Sequence, residues 1–148
     1  MPDRIGLFGH SRGGGAALNY AVRIGDVQDA VLNSARYPGE LTVLASAIKL
    51  PILMLHGTAD SPADGGTEAT NVEMARDFER ALCAAGKAVE AVYYEGGRHN
   101  GIFDSPDQYR DELPRILAFL RQHAKREYVL VKAADRGLRR NPGRSPNN

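Results

Sequence analysis

Short apolar runs alternate with longer amphipathic segments along most of the chain, and this alternation leaves few folds open to it. The short runs are typical of buried strands, whereas apolar residues spaced three and four apart in the longer segments indicate helices. Strands that alternate with helices form a parallel sheet that is covered by helices. We therefore predict an α/β fold whose mostly parallel sheet of about four strands, flanked by helices, uses residues 4–8, 29–33, 51–56 and 88–94.

Three helices are predicted from their end signals and their apolar faces. The first covers residues 12–23, and the other two begin at capping-box sequences that start at Thr70 and Ser105. The predicted buried faces are Ala16, Ala17, Tyr20, Ala21 and Ile24 in the first helix, Val72, Ala75, Phe78 and Leu82 in the second, and Tyr109, Leu113, Ile116, Leu117 and Leu120 in the third.

Composition limits the class of protein further. The single cysteine, Cys83, excludes an intrachain disulfide and a cysteine-rich metal site, and its helical context predicts a buried thiol. No apolar run approaches the length of a membrane-spanning helix, and the N-terminus has no signal-peptide pattern. We expect a cytoplasmic protein without a membrane partner, metal or cofactor.

The C-terminal segment differs in charge from the rest of the chain. From Lys125 onward there are seven basic residues and only two acidic ones. We predict a domain over residues 1–125 and a basic tail over residues 126–148, with one strand at residues 127–132 and disorder beyond it. A nucleic-acid-binding arm is the alternative, but no aromatic residue lies among the charges after Tyr128, so no nucleic-acid partner is expected.

Ser11 lies in the sequence Gly9-His10-Ser11-Arg12-Gly13, between a predicted strand and a predicted helix. This is the G-x-S-x-G pattern of a nucleophile elbow, in which a sharp turn exposes the serine hydroxyl. Glycines at positions 9 and 13 allow the strand and the helix to approach. The backbone N–H of Arg12 is a candidate oxyanion donor, and His10 is a second candidate for oxyanion or substrate binding.

An acid and a histidine follow two later strands. Asp60 lies in the loop after the third predicted strand, where Asp64 is a competing acid, and His99 lies in a glycine-flanked loop after the fourth. Loops that follow parallel strands meet at one edge of the sheet. Ser11, Asp60 and His99 therefore form a candidate catalytic triad in which Asp60 orients His99 and His99 takes the proton of Ser11.

Three motifs carry a family resemblance: GHSRGG at residues 9–14, PILMLHGTAD at residues 51–60 and YYEGGRHNGIF at residues 93–103. Over residues 3–125 the chain resembles the C-terminal half of α/β-hydrolases of the dienelactone hydrolase, prolyl oligopeptidase and esterase group. The resemblance implies a serine hydrolase with Ser11 as nucleophile, His99 as base and Asp60 as its partner, acting on small carboxylic esters. A serine peptidase is the enzymatic alternative.

The resemblance also implies that the chain starts at the strand that comes fifth in the family. The loop that supplies the second oxyanion donor would then be missing, and residues 34–51 leave no room for a lid. We expect an open edge on the first strand and a homo-oligomer built on that edge and the helix after it. A non-catalytic interaction domain is the alternative from a different class of function.

Overall fold

The computed structural model describes residues 5–123, which form an open four-stranded sheet flanked by helices. All neighbouring strands are parallel, and their order in the sheet is their order in the chain. The α/β fold predicted from the alternation of segments is confirmed. The strands are β1 (Gly6–His10), β2 (Asp29–Asn33), β3 (Ile52–Gly57) and β4 (Val89–Tyr94).

Within residues 5–123, five helices connect and follow the strands. They are α1 (Arg12–Arg23), α2 (Leu41–Ala47), α3 (Val72–Ala84), α4 (Gly101–Asp104) and α5 (Pro106–His123). Two 3₁₀ turns, Pro62–Asp64 and Glu68–Thr70, lie in the loop between β3 and α3. The short helix α4 was not predicted, since one turn of helix is too short to show periodicity.

The core has two layers, one on each face of the sheet. Alternate residues of a strand point to opposite faces. In β3, Ile52 and Met54 pack in the layer that contains the buried sides of α1, α2 and α3, whereas Leu53 and Leu55 pack in the layer under α5. Because both faces are covered, β2 and β3 are buried along their whole length.

Two of the three predicted helix faces are wrong in part. In α1 the buried side is formed by Gly14, Gly15, Ala17, Leu18 and Ala21, while Ile24 is 61% exposed. In α5 the predicted apolar residues Tyr109, Leu113 and Leu117 face solvent, and Gln108 and Glu112 are buried instead. The predicted face of α3 is confirmed, with Val72, Ala75, Phe78 and Leu82 buried.

Two local predictions around α3 are corrected as well. Its N-cap is Asn71, whose side chain accepts a hydrogen bond from the N–H of Glu73, so Thr70 lies one residue outside the helix. Cys83 is exposed rather than buried, because the buried stripe of α3 runs through Phe78 and Leu82 and leaves Cys83 on the solvent side.

The predicted basic tail, including the strand at residues 127–132, lies outside the described residues. Within residues 5–123, no helix has the length and apolar character needed to cross a membrane. The same residues contain no cluster of three or more metal-ligating side chains.

The turn from β1 to α1 depends on close backbone packing. A Cβ atom at Gly9 would overlap the carbonyl oxygen of Gly13, and a Cβ at Gly14 would lie 2.5 Å from the Cβ of Ala35. A Cβ at Gly13 would meet nothing within 4 Å. Of the two glycines that the sequence pattern singled out, Gly9 is required by packing and Gly13 is not.

We expect Gly9→Ala to destabilise the protein by about 2 kcal/mol or more, because the added methyl group overlaps fixed backbone. Gly13→Ala is the matched control. It should change the free energy of unfolding by about 1 kcal/mol or less and in the stabilising direction, because alanine favours the first turn of a helix. Urea unfolding of both variants measures the difference, and equal destabilisation would contradict this account of the turn.

Candidate active site

Ser11 occupies a strained turn between β1 and α1. Its backbone has φ 56° and ψ −119°, a region that residues other than glycine rarely adopt. Two hydrogen bonds hold the turn: the N–H of Ser11 donates to the carbonyl of Asn33 at 3.0 Å, and the N–H of Arg36 donates to the carbonyl of Ser11 at 3.0 Å. The end of β2 and the residues after it therefore fix the direction of the Ser11 side chain.

The three residues of the candidate triad are connected by two hydrogen bonds. Nε2 of His99 lies 2.9 Å from Oγ of Ser11, and Nδ1 of His99 lies 2.8 Å from Oδ2 of Asp60. A carboxylate only accepts hydrogen bonds, so Nδ1 carries the hydrogen and Nε2 is free to accept one from the serine hydroxyl. This is the arrangement in which a histidine can remove the serine proton.

Asp60 is completely buried in the loop after β3. Burial by itself raises the pKa of a carboxyl group, but the hydrogen bonds from His56 and His99 outweigh it, and the pKa of Asp60 is lowered from its ordinary value. Asp64, the competing acid, instead accepts a hydrogen bond from the Ser61 hydroxyl at 2.6 Å on the protein surface. Only Asp60 of the two lies beside His99.

His56 is a residue that the sequence analysis missed. Its Nε2 lies 3.1 Å from Oδ2 of Asp60 and 2.8 Å from the carbonyl oxygen of Thr70. Both neighbours are acceptors, so Nε2 carries a hydrogen and His56 stabilises the Asp60 carboxylate. The four-residue spacing within HGTAD was the available signal, but a spacing does not show that the loop folds back on the strand end.

The two candidate oxyanion residues differ in what they offer. Arg12 is the first residue of α1, so its backbone N–H has no acceptor within the helix. The ring nitrogens of His10 face other side chains: Nδ1 lies 2.6 Å from Oδ1 of Asn33, and Nε2 lies 3.2 Å from Oδ1 of Asn100. In this arrangement His10 has no ring nitrogen left over for an oxyanion.

A buried polar network lies behind His10 and was not expected from the sequence. Nδ2 of Asn33 donates to Oε2 of Glu112 at 2.7 Å, and Nε2 of Gln108 donates to Oε1 of Glu112 at 2.6 Å. Burial raises the pKa of Glu112, although the hydrogen bonds from Gln108 and Asn33 oppose that shift. Polar residues four apart in α5 were the only trace of this network in the sequence.

A cavity of about 710 Å³ lies next to the loop that carries His99. Arg98, Gly101 and Gln108 are among the residues of its wall, but neither Ser11 nor His99 is. This cavity is therefore separate from the space in which an acyl group would meet the Ser11 hydroxyl.

Comparison with solved structures shows the same fold in several hydrolases. The structure is similar to that of the acylaminoacyl peptidase of Pyrococcus horikoshii, with a TM-score of 0.71, 16% identity, and coverage of 84% of this chain and 25% of the peptidase. A putative dienelactone hydrolase from Klebsiella pneumoniae gives a TM-score of 0.68 at 22% identity, covering 81% of this chain and 52% of that protein. A dienelactone hydrolase from Anabaena variabilis gives 0.61 at 25% identity, with 82% and 50% covered.

The chain thus spans about a quarter of the peptidase and about half of the two dienelactone hydrolases. No curated protein sequence matches it. The family model for dienelactone hydrolases, however, matches residues 1–124 of the 148 residues. This match covers the elbow, the acid loop and the histidine loop together, and the chain belongs to the dienelactone hydrolase family of α/β-hydrolases.

Proposed function

We propose that the protein is a serine hydrolase that cleaves small carboxylic esters through an acyl-enzyme. The observation that carries this proposal is the continuous chain of hydrogen bonds from the Ser11 hydroxyl through His99 to the buried carboxylate of Asp60. A serine hydroxyl is a weak nucleophile until a base within hydrogen-bond reach accepts its proton. His99 meets that requirement, and Asp60 fixes which of its nitrogens is free.

The reaction proceeds in two halves. Ser11 Oγ attacks the ester carbonyl while Nε2 of His99 takes its proton, and the resulting imidazolium is stabilised by Asp60. His99 then gives the proton to the leaving alkoxide, and the acyl group remains on Ser11. Water, deprotonated by His99, attacks the acyl-enzyme and releases the acid. The chemistry requires no metal or cofactor.

The oxyanion of the tetrahedral intermediate is assigned to the backbone N–H of Arg12. The positive end of the α1 dipole supports this assignment, since α1 begins at Arg12. Membership of the dienelactone hydrolase family supports an ester as the substrate class, because a lactone is a cyclic ester.

A serine peptidase is the second candidate. The structural likeness to an acylaminoacyl peptidase favours it, but at 16% identity that likeness extends to the fold alone. Comparing turnover of an ester and of the matching anilide distinguishes the two substrate classes. A non-catalytic interaction domain is the third candidate. The hydrogen bond between Ser11 and His99 argues against it, because binding a partner does not require that alignment.

We also propose that the protein self-associates through β1 and the adjacent α1. β1 is at the edge of the described sheet, with β2 on its other side. Phe8 on this strand is 45% exposed, and Ile5 just before it is 41% exposed. Unpaired strand edges with apolar neighbours are surfaces that proteins pair or cover.

We expect the protein to hydrolyse short-chain p-nitrophenyl esters. Ser11→Ala and His99→Ala should each lower kcat by about 10⁶-fold, whereas Asp60→Asn should lower kcat by about 10⁴-fold, because the serine and its base remain. The matched control is Asp64→Asn, which changes an acid in the same loop that does not contact His99. Wild-type turnover by Ser11→Ala would rule out the proposed mechanism.

The lowered pKa of Asp60 also predicts how the free energy of unfolding depends on pH. A carboxyl group whose pKa is lower in the folded protein stabilises it at pH values above the ordinary value of 3.8, and that contribution disappears as the pH falls through the folded-state pKa. The gap in free energy of unfolding between wild type and Asp60→Asn should therefore be widest above about pH 5 and narrow towards about pH 2. Urea unfolding over this range measures it, and a constant gap would contradict the lowered pKa.

Self-association is tested by sedimentation at micromolar concentration. We expect wild type to sediment as a dimer or larger oligomer and Phe8→Lys to sediment as a monomer, because the lysine places a charge beside the edge of β1. Val43→Lys is the matched control, since Val43 is exposed on α2 away from this edge. A monomeric wild type would refute the assembly without affecting the proposed chemistry.

A further inference from the structure

Glu112 is a completely buried carboxyl group that takes no part in the proposed reaction. Among the described residues, its hydrogen-bond donors are the side-chain amides of Asn33 and Gln108. Burial of a carboxyl group is costly unless its oxygens accept hydrogen bonds. In α5 Glu112 is buried on the same side as Ile116 and Phe119, while Leu113 and Leu117 face solvent, so a carboxyl group takes a place on the buried side that an apolar residue could fill.

The orientation of Asn33 follows from Glu112. Because Nδ2 of Asn33 donates to Glu112, its Oδ1 is the atom that faces Nδ1 of His10, at 2.6 Å. A carbonyl oxygen only accepts hydrogen bonds. Nδ1 of His10 must then carry a hydrogen, held there by the Asn33–Glu112 pair. Nε2 faces the side-chain amide of Asn100, which is exposed and can turn to present its N–H₂ group to an unprotonated Nε2. The buried side of the ring therefore sets the tautomer, through a carboxylate two hydrogen bonds away.

Asn33 and His10 both connect to the catalytic residues. The backbone carbonyl of Asn33 accepts the N–H of Ser11, and its side chain holds His10. The ring of His10 lies against the ring of His99, with 4.9 Å between centroids, and its Nε2 faces Asn100, the neighbour of His99. One face of His99 is thereby held by a ring that Asn33 orients.

Building on the proposed hydrolase function, we propose that Glu112 is a positioning residue that acts through Asn33 and His10 on His99. It fixes the amide of Asn33, which fixes the tautomer and orientation of His10, and His10 supports His99 at hydrogen-bond distance from Ser11. Asp60, which His56 supports, holds Nδ1 of His99. Glu112, Asn33 and His10 together hold the His99 ring from the side of β2 and α5.

The first test measures the tautomer directly on the full chain. A two-bond ¹⁵N–¹H spectrum distinguishes protonated from unprotonated ring nitrogens, and His10→Gln assigns the His10 signals by their loss. We expect a protonated Nδ1 in wild type. In Glu112→Met, which keeps the length of the side chain but removes its strong acceptors, that signal should shift towards the Nε2–H tautomer or average between the two. An unprotonated Nδ1 in wild type, or an Nδ1 signal unchanged by Glu112→Met, would overturn the proposal.

The second test measures the effect on Ser11 with a fluorophosphonate probe. We expect Glu112→Met to lower the labelling rate at saturating probe by about 10-fold, with little change in the probe concentration that gives half the maximal rate, because small displacements of a base slow the reacting step. The matched control is Glu79→Met, since Glu79 accepts a hydrogen bond from the Tyr93 hydroxyl away from this network. Equal rates for Glu112→Met and wild type would overturn the proposal.

A double variant separates positioning from general loss of stability. If Glu112 acts through His10, Glu112→Met combined with His10→Gln should label no more slowly than His10→Gln alone. Additive losses would mean that Glu112 acts by another route and would refute the proposal. If Glu112→Met does not fold, two other results decide the proposal. Wild type must show the Nδ1–H tautomer of His10, and His10→Gln must be labelled more slowly than wild type. If wild type is not labelled at all, the hydrolase function fails, while the tautomer measurement still decides whether Glu112 orients His10.

Discussion

The hydrogen bond from the N–H of Ser11 to the carbonyl of Asn33 holds the proposed nucleophile in a backbone conformation that residues other than glycine rarely adopt. A positive φ at a residue other than glycine costs of order 1–3 kcal/mol, and it persists only where the surroundings fix it. Here the surroundings are the end of β2 and the close approach of α1 to β1 at Gly9. The direction of the Ser11 hydroxyl therefore depends on the packing of the whole β1–α1–β2 unit.

Two buried polar groups lie on different sides of His99. His56 donates to Asp60 from the end of β3, and Glu112 reaches His10 through Asn33 from α5. Both are costly to bury. Hydrogen bonds to the oxygens of Glu112 and from Nε2 of His56 offset this cost and also orient residues at the site, while Nδ1 of His56 has no hydrogen-bond partner among the described residues. A catalytic histidine has to be held to within a few tenths of an ångström, and supporting residues on rigid elements achieve this better than a loop does alone.

The described sheet is unevenly covered. β2 and β3 are buried on both faces, whereas Phe8 on β1 and Leu117 on α5 leave apolar area exposed on the same side of the sheet. The chain matches about a quarter to a half of the length of the solved structures that share this fold. Because Ser11, the proposed nucleophile, follows β1 directly, the cover of this edge bears on the position of its side chain.

The sequence by itself determined the order of strands and helices, the parallel sheet and the three loops that hold Ser11, Asp60 and His99, because periodicity and glycine-rich turns are local properties of a chain. Only the tertiary structure decided which side of α5 is buried, why Gly9 matters and Gly13 does not, and that His56 and Glu112 support the site. Apolar periodicity predicted a buried face of α5 that consists of Tyr109, Leu113, Ile116, Leu117 and Leu120. Ile116 is buried and Leu120 packs against the core, but the other three face solvent. In the structure, Glu112 is buried in their place and is hydrogen-bonded to Asn33 and Gln108. The periodicity of one segment cannot reveal such a partner on another segment.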